Sequence, residues 1–302
     1  MKIYKNTNVN FEHKKAVVAV GNFDGLHLGH QKVLKEAKVM AKKFKLPFGV
    51  MTFEPMTVMF FNQKIKNHRI NSLNQKIYHL KKMKLDFLII IKFNKIFSSI
   101  TAKEFIEKII YKKINCKYVY ISKNFKFGFK RKGNSKTLKF FENKFGYKSV
   151  ITKPYKKVKK IISSTMIRKK IASGKINEAN KLLGRRWCIE GKVIQGKKRG
   201  RKIGFPTCNL KLNNYIMPKP GVYAVKVDNN NFVKKGIANI GFRPTFNGQS
   251  LLLETNIFGI NRNLYNKVIS VHLKNFIRKE KKFKNIEELK KQIKIDIQKA
   301  KN

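Results

Sequence analysis

At 302 residues and 42% hydrophobic composition, the chain is long enough for two domains with a core each and too apolar for a disordered protein. Its formal charge of +54, from 70 Lys and Arg against 16 Asp and Glu, has the sign of a nucleic-acid footprint, yet lysines are spread over the whole length together with Asn and Ile, residues that share A/T-rich codons. Base composition accounts for that charge, so no specific nucleic-acid partner is expected, only non-specific anion attraction at low salt. Met1 to Asn10 carries no apolar leader core, and the longest apolar run, Phe87 to Ile91, is far short of a membrane span. Cys116, Cys188 and Cys208 are an odd, widely spaced set suited to reduced thiols. These features predict a soluble, cytoplasmic protein without membrane attachment, a monomer or weak homo-oligomer.

The first strand in the pattern is Ala16-Val17-Val18-Ala19-Val20. It runs into Gly21-Asn22-Phe23-Asp24-Gly25-Leu26-His27-Leu28-Gly29-His30 and then a helical segment, Gln31 to Lys45. A strand, a glycine-containing turn and a helix make a phosphate site, because the helix start presents unpaired N–H groups and a positive dipole end. His27 and His30, three apart at the mouth of that helix, can turn both rings to one point. Gly29 between them lets a nucleotide approach the backbone. Pro47 to Phe53 then reads as a strand, Leu73 to Met83 as a helix and Leu85 to Ile91 as a buried strand. Thr101 to Glu104 is a capping box opening a helix over Ala102 to Lys113, and Tyr118 to Ile121 is the next strand. Short apolar runs between helices predict a doubly wound parallel sheet with helices on both faces and its ligand at the carboxyl ends of the strands.

Ile162-Ser163-Ser164-Thr165-Met166-Ile167-Arg168 places three hydroxyls and a guanidinium fork before and on a helix start, groups suited to phosphate oxygens. Near Leu182 to Arg186 the pattern changes to short strands separated by Gly, Asn and Pro, which predicts a boundary between domains 1–183 and 184–302. Trp187 to Gln195, Gly221 to Asp228, Phe232 to Ile240, Leu251 to Ile257 and Lys267 to Leu273 read as five strands of a small antiparallel barrel. An amphipathic helix, Ile286 to Lys299, with Ile286, Leu289, Ile293 and Ile297 on one face, would cover it.

The string Gly21 to His30 resembles the nucleotidyltransferase signature, in the form found in bacterial bifunctional riboflavin kinase/FMN adenylyltransferases, also called FAD synthetases. Ile162 to Arg168 is similar to the Ser-Ser-Thr-x-Ile-Arg string of the same family. Phe53-Glu54-Pro55 and Asn124 to Gly128 resemble segments that the family sets near flavin and nucleotide. Gly200-Arg201-Lys202-Ile203-Gly204-Phe205-Pro206-Thr207-Cys208-Asn209 is similar to its kinase signature, as are Gly236 to Phe246, Leu253 to Asn256 and Phe276 to Phe283. The chain departs from those strings at Met56, Asn124, Met166 and Asn256, where the family usually carries His, Asp, Arg and His.

The resemblance implies a nucleotidyltransferase-type domain followed by a riboflavin kinase-like barrel. It implies that ATP phosphorylates riboflavin to FMN and that a second ATP adenylylates FMN to FAD. ATP would meet Gly21, Asn22, Phe23, Asp24, His27, Gly29, His30, Ser163, Ser164, Thr165 and Arg168 in the first domain. It would meet Gly200, Gly204, Pro206, Thr207, Asn209 and Arg278 in the second. Thr207 and Asn209 would hold Mg²⁺, Glu254 would be the catalytic base, and His27, His30 and Arg168 would stabilise adenylyl transfer. A kinase with a decayed adenylyltransferase half is the alternative; a tRNA-synthetase-like enzyme and a non-enzymatic nucleic-acid binder are weaker ones.

Overall fold

The computed structural model describes residues 1–157, 160–196, 198–212, 214–229, 231–245, 248–260 and 262–301, so Phe246 of the Gly236–Phe246 string lies outside the described residues. The chain forms two compact units, one of Met1–Lys66 and Leu73–Ser163, the other of Asn67–Ser72 and Ser164–Asn302. The Ser-Ser-Thr string straddles that division between Ser163 and Ser164.

The first unit is built on six parallel strands, β1 (Lys2–Tyr4), β2 (Val17–Val20), β3 (Phe48–Glu54), β4 (Phe87–Lys92), β5 (Tyr118–Ser122) and β6 (Lys148–Thr152), in the order β1-β4-β3-β2-β5-β6. Side chains alternate across the pleat. Val18, Val20, Met51, Ile89, Ile91 and Ile121 enter one buried cluster, and Val17, Ala19, Val50, Leu88, Ile90 and Tyr120 enter another on the opposite face. Both faces are covered, which is why the strands read as unbroken apolar runs rather than alternating ones. From β2 the chain moves to β3 on one side and later to β5 on the other, so the order reverses beside the carboxyl end of β2. That reversal opens a crevice in sheets of this kind. β1 and β6 were absent from the sequence reading; β1 spans only three residues and β6 is edged by Lys148 and Thr152. A two-stranded ladder, β7 (Lys156–Lys157) and β8 (Lys160–Ile161), follows.

In the second unit, β9 (Cys188–Lys192), β10 (Cys208–Lys211), β11 (Gly221–Asp228), β12 (Val233–Thr245), β13 (Gly248–Ile257) and β14 (Val268–Arg278) pair antiparallel in the order β10-β13-β12-β11-β14-β9. A bridge between Ile194 and Asn209 brings the two ends together, leaving a nearly closed barrel. Its interior is lined by Leu210, Tyr223, Ala238, Ile240, Leu253, Val271 and Leu273. There are six strands where the sequence pattern gave five. The additional one, β10, is four residues long and begins directly after the Gly-Phe-Pro turn, which concealed it.

The terminal helix, Ile286–Lys301, packs Ile293, Ile297 and Ala300 against Val222, Ala224 and Ile237 on the outer barrel surface. Its Asp296 is 1% exposed and is gripped by Arg278 of β14, whose Nε and Nη2 donate to the carboxylate at 2.8 to 3.0 Å while Nη1 donates to the Lys279 carbonyl. Helix and barrel are therefore joined by a fork-to-fork ion pair at one end of an apolar seam. Asp296→Ala strands the guanidinium, and because Arg278 keeps some access to water the cost is expected near the lower end for a broken buried pair, about 3 kcal/mol. Urea unfolding monitored through Trp187 checks it.

Candidate functional sites

The glycine-containing turn of the first unit starts where β2 ends. Gly21 N–H donates to the Met51 carbonyl, fixing the exit from the sheet, and Phe23, Gly25 and Leu26 then take left-handed φ of 46°, 77° and 39°. Such φ values at Phe and Leu store strain that only a packed surrounding sustains, and both side chains are 3% exposed in the core beneath. Asp24 is buried in the same turn. The helix begins at Leu28, earlier than the sequence pattern indicated, so His27 is its N-cap and His30 lies in its first turn. His27 Nδ1 accepts from the His30 backbone N–H at 3.3 Å, which places the proton of a neutral His27 on Nε2. The imidazoles stack at 3.7 Å between centroids, 20° from parallel, and His30 meets the edge of Phe23 at 5.3 Å. Two rings, a helix start and a strained turn thus share one place at the topological switch.

A Cβ on Gly29 would sit 3.1 Å from His27 Cε1 and Nδ1 and 3.5 Å from the Ile162 carbonyl. The glycine therefore keeps open the space between the His27 ring and the Ile162 carbonyl. Ser163 and Ser164 are partly buried, Thr165 is exposed, and Ser164 to Arg168 lie on the helix Ser164–Ala172. Arg168 Nε donates to the His68 carbonyl at 2.8 Å within the second unit.

Sequence reasoning passed over two features of the first unit. One is a run of phenylalanines beyond the carboxyl ends of β3 and β4: Phe60, Phe61 and Phe93 contact one another at 5.2 to 5.7 Å, and Phe93 and Phe53 both reach Phe97. Phe61 is 68% exposed, so the cluster offers an aromatic face to solvent. The other is Lys76, a lysine buried to 1% exposure beside the turn. Lys76 lies at an ordinary helical position in the sequence, and neither periodicity nor composition marks it.

In the barrel, strand register builds the second site. Asn209 on β10 pairs with Glu254 on β13, which pairs with Asn239 on β12. Residues directly opposite in antiparallel strands point to the same face about 5 Å apart. Asn209, Glu254 and Asn239 therefore form one polar row on the outside of the barrel, while Thr255 and Leu253 face in. Asn239 Nδ2 donates to Glu280 Oε1 at 3.0 Å, bringing a second carboxylate to the row. The signature loop folds over it: Phe205 N–H donates to the Gly200 carbonyl, Asn256 Nδ2 holds the Pro206 carbonyl at 2.7 Å, and Gly204 takes a φ of 89°. A Cβ on Gly196 would lie 2.3 Å from Asn209 Nδ2. This close approach makes a cradle against the amide.

The donors beside that cradle, the Thr207 hydroxyl, Asn209 amide and Glu254 carboxylate, are hard oxygens that fit Mg²⁺. Among the described residues no group of three or more His, Cys, Asp and Glu side chains could cage a metal. A sparse set suits Mg²⁺, which keeps waters and substrate phosphate oxygens around it. Arg278 lies two strands along the same register, opposite Val222, which is opposite Asn239, and its Nε and Nη1 donate to Asp296 and to the Lys279 carbonyl.

Two family models match in tandem, FAD synthetase over residues 9–166 and riboflavin kinase over 183–302. The chain belongs to the bifunctional riboflavin kinase/FMN adenylyltransferase family. Proteins of that name from Buchnera aphidicola subsp. Schizaphis graminum, Haemophilus influenzae and Bacillus subtilis are 41%, 39% and 40% identical, over 96%, 97% and 96% of this chain and 95%, 96% and 92% of their own. A solved structure described as a macrolide-efflux protein from Streptococcus pneumoniae superposes with a TM-score of 0.88 at 33% identity, over 99% of this chain and 98% of that one. Among the described residues here no helix is long and apolar enough to cross a membrane. With both family models present, a kinase-only reading is not favoured.

Gly29→Ala tests the first site. Because alanine is at home in a helical first turn, the variant is expected to stay within about 1 kcal/mol of wild-type stability. Crowding of His27 is expected to lower FAD formation from FMN by about tenfold or more, the effect of disturbing one hydrogen bond to charge, with riboflavin phosphorylation unchanged. Thermal melting and separate assays of the two reactions check this.

Proposed function

We propose how this chain carries out the two reactions of its family, riboflavin plus ATP to FMN and FMN plus ATP to FAD, on two separate sites. The observation that carries the reading is the pairing of a histidine-lined helix start at a topological switch with an Asn-Glu-Asn row beneath a glycine loop, each under its own family model.

In the barrel, Glu254 accepts the proton of the flavin 5′-hydroxyl as that oxygen attacks the γ-phosphorus of ATP; the phosphoryl group moves to the flavin and ADP leaves. A carboxylate can serve because it is partly accessible and held in register beside Asn209. The glycine loop brings backbone to the phosphates, and Asn256 fixes it through Pro206. Thr207 and Asn209 would hold Mg²⁺, which supplies neutralisation of the charge on the transferring group.

At the turn, an FMN phosphate oxygen attacks the α-phosphorus of a second ATP and pyrophosphate departs. The nucleophile is already an anion, so positioning and charge stabilisation suffice. His27 and His30 meet the phosphates beside the N–H groups of the helix start. The phenylalanine face at Phe60, Phe61 and Phe93 is suited to an isoalloxazine ring. The assignment of Ser163, Ser164, Thr165 and Arg168 to the same nucleotide rests on the family string alone. The functional boundary proposed at 183/184 is supported by the extents of the two family models, although the helices Ser164–Ala172 and Ile176–Leu183 pack with the barrel unit. ATP as co-substrate supports a cytoplasmic location.

Chromatography of the purified protein with riboflavin, excess ATP and Mg²⁺ is expected to show FMN rising first and FAD after it. FMN without FAD would sink the adenylyltransferase assignment. Glu254→Gln is expected to lower the rate of FMN formation by about 10² to 10⁴, the range for loss of a general base, while FAD formation from supplied FMN is kept.

A further inference from the structure

Lys76, on the helix Leu73–Lys82, buries its ammonium beneath the phosphate turn. Its Nζ donates to Thr52 Oγ1 at 3.4 Å, and Thr52, fully buried on β3, donates its one hydroxyl proton to the Asn22 carbonyl at 3.1 Å. The polarity of this chain is fixed. An ammonium only donates, so Thr52 must accept from it and give its own proton to Asn22, and each bond polarises the next.

The consequence falls on the peptide between Asn22 and Phe23. In a trans peptide the carbonyl and the N–H point in opposite directions. Drawing the Asn22 oxygen toward Thr52 therefore turns the Phe23 N–H to the opposite side. Phe23 is a non-glycine residue at φ 46°, so this is a peptide whose orientation the backbone alone would poorly maintain.

We propose that Lys76 is a positioning residue of the adenylyl-transfer site: through Thr52 it orients the Asn22–Phe23 peptide, so that the Phe23 N–H is held toward the ATP polyphosphate. The inference rests on the reading of the histidine turn as the ATP site.

The test compares the wild-type full chain with Lys76→Met, which keeps length and loses charge, Lys76→Arg, which keeps charge, and Thr52→Val, which cuts the relay. The measurements are KM for ATP and kcat in FAD formation, pyrophosphate affinity by calorimetry, thermal midpoint, and FMN formation from riboflavin as an internal control. Lys76→Met is expected to raise KM for ATP and weaken pyrophosphate binding by about tenfold, the effect of one hydrogen bond to a charged group. Thr52→Val is expected to move both in the same direction, Lys76→Arg to recover part of the loss, and the kinase rate to stay unchanged. A folded Lys76→Met with KM for ATP and pyrophosphate affinity within twofold of wild type overturns the proposal. If Lys76→Met fails to fold, unchanged pyrophosphate affinity in Thr52→Val overturns it equally. A wild-type protein that neither makes FAD nor binds pyrophosphate would instead overturn the reading of the turn itself.

Discussion

Backbone can meet a phosphate only where no side chain stands between them, and in the first unit the proposed phosphate turn satisfies that condition by forcing three of its residues into left-handed conformations. Phe23 and Leu26 endure this because their side chains are sealed in the core under the turn, and Gly25 because it has no Cβ. The parallel sheet is what makes such sealing possible. Covered on both faces, it gives a rigid floor whose strand ends all point one way, and reversal of strand order beside β2 leaves the crevice there. The histidine stack, the open space at Gly29 and the Lys76 relay are all attached to that turn.

The barrel meets the same condition by other means. Its glycine loop, the proposed phosphate loop, does not lead into a long helix; instead glycines at 196 and 200 let the loop press on Asn209 and on its own carbonyls. Chemistry is then set by antiparallel register, which places Asn209, Glu254 and Asn239 side by side from three strands far apart in sequence. A slip of one residue would carry the whole row into the apolar interior. The ion pair of Arg278 with Asp296 and the apolar seam of the terminal helix hold the outer surface on which this row lies.

Much of this was legible from residue patterns, for identifiable reasons. Apolar runs between helical segments announced a sheet buried on two faces, and Gly221–Asp228 was bounded to the residue because Gly221 and Asp228 punctuate it. The shape of the histidine turn was legible because it is local, a matter of ten consecutive residues. The short β10 was missed, and so were the roles of Asn239 and Glu280, since cross-strand rows join residues that no local pattern connects. The ion pair of Arg278 with Asp296 was not legible either, since the partner lies eighteen residues on, in a helix whose sequence signals only an apolar stripe. The phenylalanine face drew residues from three separate segments and could not be assembled before the fold was known.

Two phosphorus chemistries explain why the sites differ in kind. Riboflavin offers an alcohol, whose proton must go somewhere as the oxygen attacks, so the kinase site needs a carboxylate poised in register beside its phosphate loop. FMN offers a phosphate that is already anionic, so the adenylyl site needs no base and gains most from fixed positive potential and from backbone N–H groups held in place. A chain with 70 Lys and Arg has no shortage of surface charge, but exposed lysines are mobile and screened by salt, and one more would add little. A lysine removed from solvent and tied to the turn through Thr52 instead holds one fixed place beneath it. Among so many lysines, burial rather than number singles out Lys76.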